Sequence, residues 1–145
     1  MNCRYIVVVV AAGLATTAIA HEGVKNPAVM ARMDGMTKIA DNMKVIGNMA
    51  KGRTQFDVEA VRWALASVAA QAAETPALFD AMELDPKSEA LPAIWDDFDD
   101  FTAKAKELET VANEVSASIE EPEDLRAALF LLGETCKSCH QTYTK

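Results

Sequence analysis

Apolar residues recur at alternating steps of three and four in four separate stretches of this chain, the spacing that lays a stripe along one face of an α-helix. Val58, Val61, Leu65, Val68 and Ala72 mark the second stretch, and Ile94, Phe98, Phe101, Ala105, Leu108, Ala112, Val115 and Ile119 the third. The first carries Met36, Ala40, Met43 and Ile46; the fourth carries Leu125, Leu129, Leu132 and Cys136, running on to Cys139 and His140. No two-residue alternation competes with this pattern. Helices striped in this way bury their apolar faces by packing side by side, so the expected fold class is all-α, an antiparallel four-helix bundle.

Punctuation falls where helix ends should fall. Asn26-Pro27 opens the first helix and Lys51-Gly52 closes it; Asp57 opens the second and Thr75-Pro76 ends it. Residues 76–88 hold two prolines and read as an irregular connection. The third helix is expected from Glu89 or Pro92, and the fourth from Glu121-Pro122, with its cysteines on the buried face.

Residues 1–20 read as a secretory signal: Arg4 gives a basic start, Ile6 to Ala20 are apolar or small, and Ala18-Ile19-Ala20 matches a small-x-small cleavage site. A membrane span needs about 20 apolar residues, and this run stops at His21-Glu22-Gly23, so no stable membrane insertion is expected after cleavage. Cys3 precedes the apolar run and is expected to leave with the signal. Residues 21–145 form one domain, and periplasmic export is the expected localisation. His21, at the new terminus, lacks a second strong ligand and reads as solvated.

Without the signal the chain holds 13 basic and 22 acidic residues, a formal charge of −9. Nucleic acid is excluded as a partner, because phosphate contacts need clustered lysine and arginine. A redox partner protein with a basic docking surface fits instead, brought in by electrostatic steering.

The two remaining cysteines lie in Cys136-Lys137-Ser138-Cys139-His140, the C-x-x-C-H pattern of covalent c-type haem attachment. On a helix, residues three and four apart share a face, so Cys136, Cys139 and His140 point the same way. Two thioether bonds then hold the porphyrin edge of one haem c, and His140 binds iron through one ring nitrogen while the other donates a hydrogen bond. A thioredoxin-like pair belongs beside a βαβ pattern, and a structural zinc site needs four ligands; neither context is present. No paired carboxylates, Ser-His-Asp set or phosphate loop points to catalysis.

A C-x-x-C-H closing an exported four-helix chain resembles the cytochrome c′ family, the class II c-type cytochromes. The likeness extends to Arg32 four residues before Met36, Lys51-Gly52, Ala77-Leu78-Phe79, Ile94-Trp95 with Phe101, Leu132-Gly133, and Tyr143 at an aromatic position. The resemblance implies that Met36 faces the distal side of the haem. Where a methionine ligates there, the protein resembles the low-spin branch that carries electrons; where it only packs, iron is five-coordinate, high-spin and open to nitric oxide or carbon monoxide. His/Met ligation, with His140 and Met36 as the iron ligands, favours the electron carrier. Met36 as core filling is the competing reading, because Met30, Met33, Met43 and Met49 crowd the same segment. The resemblance further implies that Arg32 contacts a haem propionate, that Trp95 and Phe101 pack around the haem, and that two copies pair as a homodimer through their first two helices. The chain departs from the family at Thr144, where an arginine usually follows the tyrosine.

Overall fold

The computed structural model describes residues 23–145; the signal segment and His21 lie outside the described residues. Five helices follow in order: α1 Pro27–Ala50, α2 Val58–Leu78, the single turn α3 Ala93–Asp96, α4 Phe98–Ser118 and α5 Asp124–Tyr143. The four long ones form the bundle, α1 beside α2, α2 beside α4, α4 beside α5, with α5 meeting α1 most loosely.

Side chains begin these helices where the sequence suggests. Asn26 Oδ1 accepts from the amides of Ala28 and Val29 at 2.9 and 3.2 Å, and Asp57 Oδ1 does the same for Glu59 and Ala60 at 3.0 and 3.1 Å. Gly52, with φ 66°, supplies the left-handed turn beyond α1.

Three boundaries differ from expectation. The last helix starts at Asp124 rather than at Glu121-Pro122, because the amides of Glu120 and Glu121 turn back onto Asp124 Oδ2 at 3.0 and 3.1 Å. The second helix does not stop at Thr75-Pro76 but runs to Leu78. A proline in the last turn forfeits only the bond that its own N–H would have made. The turn is held by Thr75 Oγ1 donating to Gln71 O at 2.8 Å and by the buried ring of Phe79 just beyond. The third helix is broken at Asp97, whose backbone leaves the helical region at φ −138° while its carboxylate caps α4 through the Asp100 amide at 3.2 Å. Helical spacing continues across the break, which is why apolar pattern alone reads one helix.

The main core joins all four long helices, with Ile46, Val61, Leu65, Val68, Ala112, Ile119, Leu125 and Leu132 almost wholly buried. On α1 the buried stripe is Val29, Arg32, Gly35, Ile39 and Ile46; Ala40, assigned to that stripe from sequence, is exposed, and Met36 and Met43 are half-buried against the core. At Gly35 α1 and α2 meet closely: a Cβ there would stand 3.2 Å from both Gln71 and Leu78.

A second, smaller cluster of Phe79, Ile94, Phe101 and Tyr143 joins α3, α4 and the end of α5. Its rings meet edge to face, Phe79 on Phe101 at 4.9 Å and Phe101 on Tyr143 at 5.4 Å. The chain then ties its end to the 88–91 segment: Leu91 N donates to Tyr143 O at 2.9 Å, Lys145 N to Glu89 O at 3.0 Å, and Ala90 bridges Thr144.

The segment before α1 is fastened by two carboxylates, Glu83 accepting from Asn26 Nδ2 at 2.8 Å and Asp85 taking main-chain amides. Asp85 accepts from the amides of Lys25, Asn26 and Lys87 at 3.0, 3.2 and 2.9 Å. These N–H groups, that of Lys87 foremost, hold its carboxyl below the ordinary 3.8. A depressed folded-state pKa contributes stability above the unfolded value, lost as pH falls through the folded one. The amide resonances of Lys25, Asn26 and Lys87 are therefore expected to titrate together with a midpoint below 3.8, and Asp85→Asn to remove that shared transition.

Candidate haem site

Between the α1 and α5 walls lies a cavity of about 490 Å³, within the usual range for a cofactor site. α1 contributes Val29, Arg32, Met33, Met36 and Thr37; α5 and its end contribute Cys139, His140, Tyr143 and Thr144. Phe79, Ile94 and Phe101 close it with apolar surface, and residues 87–90 cross its mouth.

The sequence-derived set is brought together here with two qualifications. Cys136 does not line the cavity, although helical spacing keeps it on the flank of α5 shared with Cys139 and His140. Both cysteines, expected on the buried face, are only half-buried, because the buried line of α5 runs Leu125, Ala128, Leu132, Thr135 and Tyr143.

The cysteines are free, and burial pushes both thiols up from the ordinary value. His140 is exposed, and within the described residues its ring makes no hydrogen bond. Its carbonyl instead accepts from Thr144 N and Oγ1 at 3.1 and 2.8 Å. Thr144, where the family pattern has arginine, thus caps α5 and lines the cavity.

Arg32 is 3% exposed, which rules out a solvated helix charge. Its Nε, Nη1 and Nη2 donate to the carbonyls of Leu78, Glu83 and Ala81 at 2.8, 2.7 and 2.6 Å. The guanidinium carbon lies 4.5 Å from the Phe79 ring centre and 5.3 Å from that of Trp95. Burial lowers its pKa, with Glu83 opposing. One N–H on each Nη is left for a further acceptor.

Tyr143, 2% exposed, donates to Asp100 Oδ2 at 2.7 Å. Burial first, then the neighbouring carboxylate, pushes the phenol far above its ordinary value, so it stays protonated. Phe101 lines the cavity as expected; Trp95 does not, packing on Phe79 and donating to Phe79 O at 2.8 Å. Sequence reasoning missed Thr75, read only as the end of the second helix, and residues 87–90, of which it placed 87 and 88 in a plain connection and 89 at a possible start of the third helix.

The cavity fits a haem. Its apolar lining suits a porphyrin face, its donors include an imidazole and two thioethers, and a C-x-x-C pair adjoins it. The family model described as cytochrome C′ matches residues 27–144.

The chain belongs to the cytochrome c′ family.

Cytochrome c-556 of Agrobacterium tumefaciens (strain II Chrys) is 38% identical over 116 residues, covering 77% of this chain and 93% of that protein. Cytochrome c-554 of Cereibacter sphaeroides is 37% identical over 113 residues, covering 74% and 85%. Among solved structures, cytochrome c′ from Rhodopseudomonas palustris superposes with a TM-score of 0.77 at 28% identity, covering 83% of this chain and 98% of that one. As a c-type monohaem cytochrome, this member of the cytochrome c′ family carries one covalent haem c, with Cys136 and Cys139 as its C-x-x-C-H pair. When bound, that group supplies one-electron Fe(II)/Fe(III) chemistry, and the chain supplies ligands, walls and access.

Proposed function

We propose that this protein is a periplasmic electron carrier whose haem is tethered at Cys136 and Cys139 and whose iron is ligated by His140 and Met36. The observation that carries the reading is that Met36 and His140, more than a hundred positions apart in sequence, line one cavity from α1 and α5. A thioether opposite an imidazole raises the potential and fills the site where a gas would bind. The names of the similar c-556 and c-554 proteins agree with a c-type carrier. Export rests on the signal pattern of residues 1–20, and among the described residues no helix is long and apolar enough to cross a membrane.

Arg32 retains N–H groups for a propionate, and its three bonds to main-chain carbonyls hold the 78–83 segment, from which Phe79 lines the cavity. The proposed partner is a redox protein with a basic surface, matching the acidic surplus of this chain.

One observation favours a second reading, a high-spin gas-binding protein: Met36 also packs against the main core, as a gap-filling methionine would. The visible and near-infrared spectra of the exported holoprotein separate the two. Sharp low-spin bands with methionine-to-ferric-iron charge transfer are expected, together with slow, incomplete carbon monoxide binding to the reduced form. A broad high-spin spectrum with rapid, complete carbon monoxide binding at neutral pH would transfer the assignment to gas binding.

A further inference from the structure

A groove of about 530 Å³, separate from the haem cavity, runs between α4 and α5. Its floor is apolar, with Val111 and Leu131, and its rim carries Glu107, Glu114 and Glu134, with Ser138 at one end. Leu131 is 50% exposed, and Phe130 beside it is 67% exposed. Large apolar side chains left this open on a small protein mark a contact surface more often than a random exposure, and aromatic ones most of all.

We infer that this α4–α5 groove is the docking site for a basic redox partner, one that sets an apolar side chain against Val111 and Leu131 and lysine or arginine against the three carboxylates. The inference rests on the electron-carrier reading above.

Charge decides the occupant. Within the described residues neither Glu107 nor Glu114 makes an ion pair, and Glu134 has only Lys137 at 4.0 Å, across an exposed pair of little strength. The nearby Lys104 is already engaged, by Asp100 at 3.7 Å and the Ser138 hydroxyl at 3.2 Å. A second copy of a chain with net charge −8 would set the same carboxylates against each other, whereas a cationic partner pairs them.

Position gives the groove its use. Thr135 and Ser138, both in its lining, are the sequence neighbours of Cys136 and Cys139. A partner seated here therefore rests one residue from each attachment point. One electron passes from the reduced chain to the oxidised partner, with no bond made or broken and no proton moved. A small patch of this kind suits the brief encounters of electron-transfer proteins.

The test uses reduced holoprotein and an oxidised, lysine-rich soluble cytochrome c as the probe, mixed rapidly at low ionic strength. The triple variant E107Q/E114Q/E134Q is compared with D41N/E59Q/E74Q, which removes equal charge from α1 and α2. The groove triple is expected to lower the second-order rate constant roughly tenfold and the control less than about twofold, as local steering requires. Amide shifts on adding the probe, centred on Leu131, Glu134 and Ser138 and erased by salt, are the expected readout independent of electron transfer.

Reduction of ferricyanide, a small one-electron oxidant, reads the carrier function alone. A wild-type holoprotein that fails to reduce it defeats the carrier reading itself. With that reaction intact, equal losses in the two triples, an unaffected groove triple, or shifts that appear without probe and vanish on dilution would each overturn the docking site.

Discussion

Replacing Met36 by Ala is expected to turn a low-spin spectrum high-spin. A ferric or ferrous iron keeps its low-spin state only while both axial positions are strongly ligated. An alanine methyl offers no donor atom to the iron. The reduction potential should fall by something on the order of 0.2 V, a fraction of the span over which axial ligands set haem potentials. Carbon monoxide, excluded from the six-coordinate iron, should then bind the reduced variant rapidly. Met33 provides the control, since it lines the same cavity from the preceding turn. Met33→Ala should leave the spectrum low-spin; if it is the variant that converts, the ligand is Met33. If both variants stay low-spin, the sixth ligand is another residue; only a protein already high-spin before substitution makes both methionines packing residues and supports the gas-binding reading.

The second large effect is structural. Arg32→Met should lower stability by about 3 kcal/mol, roughly 10 °C in Tm for a domain of this size, read by thermal or urea unfolding of the holoprotein. Each charged hydrogen bond to a carbonyl contributes about 1.5–3 kcal/mol, and three are lost together. The gross sum overstates the loss because Ala81 and Glu83 are exposed, so water can take over at their carbonyls. The contact of the guanidinium with Phe79 and Trp95 disappears as well. Arg32→Lys keeps the charge but not the three-way fork, and should recover less than half of the loss. A loss under about 1 kcal/mol would mean that the 78–83 segment is held by its own turns rather than by Arg32.

Much of the architecture was legible because each long helix has two unlike faces. The stripes of α2 and α4 could be read from three-four spacing, and Asn26 and Asp57 announced their helix starts, whereas of the α5 stripe only Leu125 and Leu132 lie on the buried line. The break at Asp97 was not legible: Ile94, Phe98 and Phe101 keep helical spacing on either side, and only the backbone angles of Asp97 interrupt it. Nor was the end of α2, since a proline is a weaker stop in a last turn than in a helix interior.

The site divides the same way. Cys136, Cys139 and His140 are a local motif, readable without a fold, and Met36 came from the family resemblance. The role of Arg32 as a wall brace was hidden, because its acceptors are main-chain carbonyls 46, 49 and 51 positions away, which carry no side-chain signature. Ser88 and Ala90 reach the cavity only because the chain end pairs with them, a contact that no periodicity encodes.

Because the chain end is fastened there, tolerance to changes in length is uneven. Lys145 Nζ meets Ser88 O across 57 positions, so the tie closes a long ring that contains α3, α4 and all of α5. Ring-closure entropy grows only logarithmically, and doubling such a ring costs about 0.6 kcal/mol. An insertion in the exposed turn at 120–123 between α4 and α5 is therefore a minor perturbation, while deleting Thr144-Lys145 removes the ties to Glu89 and Ser88 and leaves Leu91 N–Tyr143 O as the remaining link. Sensitivity to length is concentrated at the knot and nearly absent from the loop it closes.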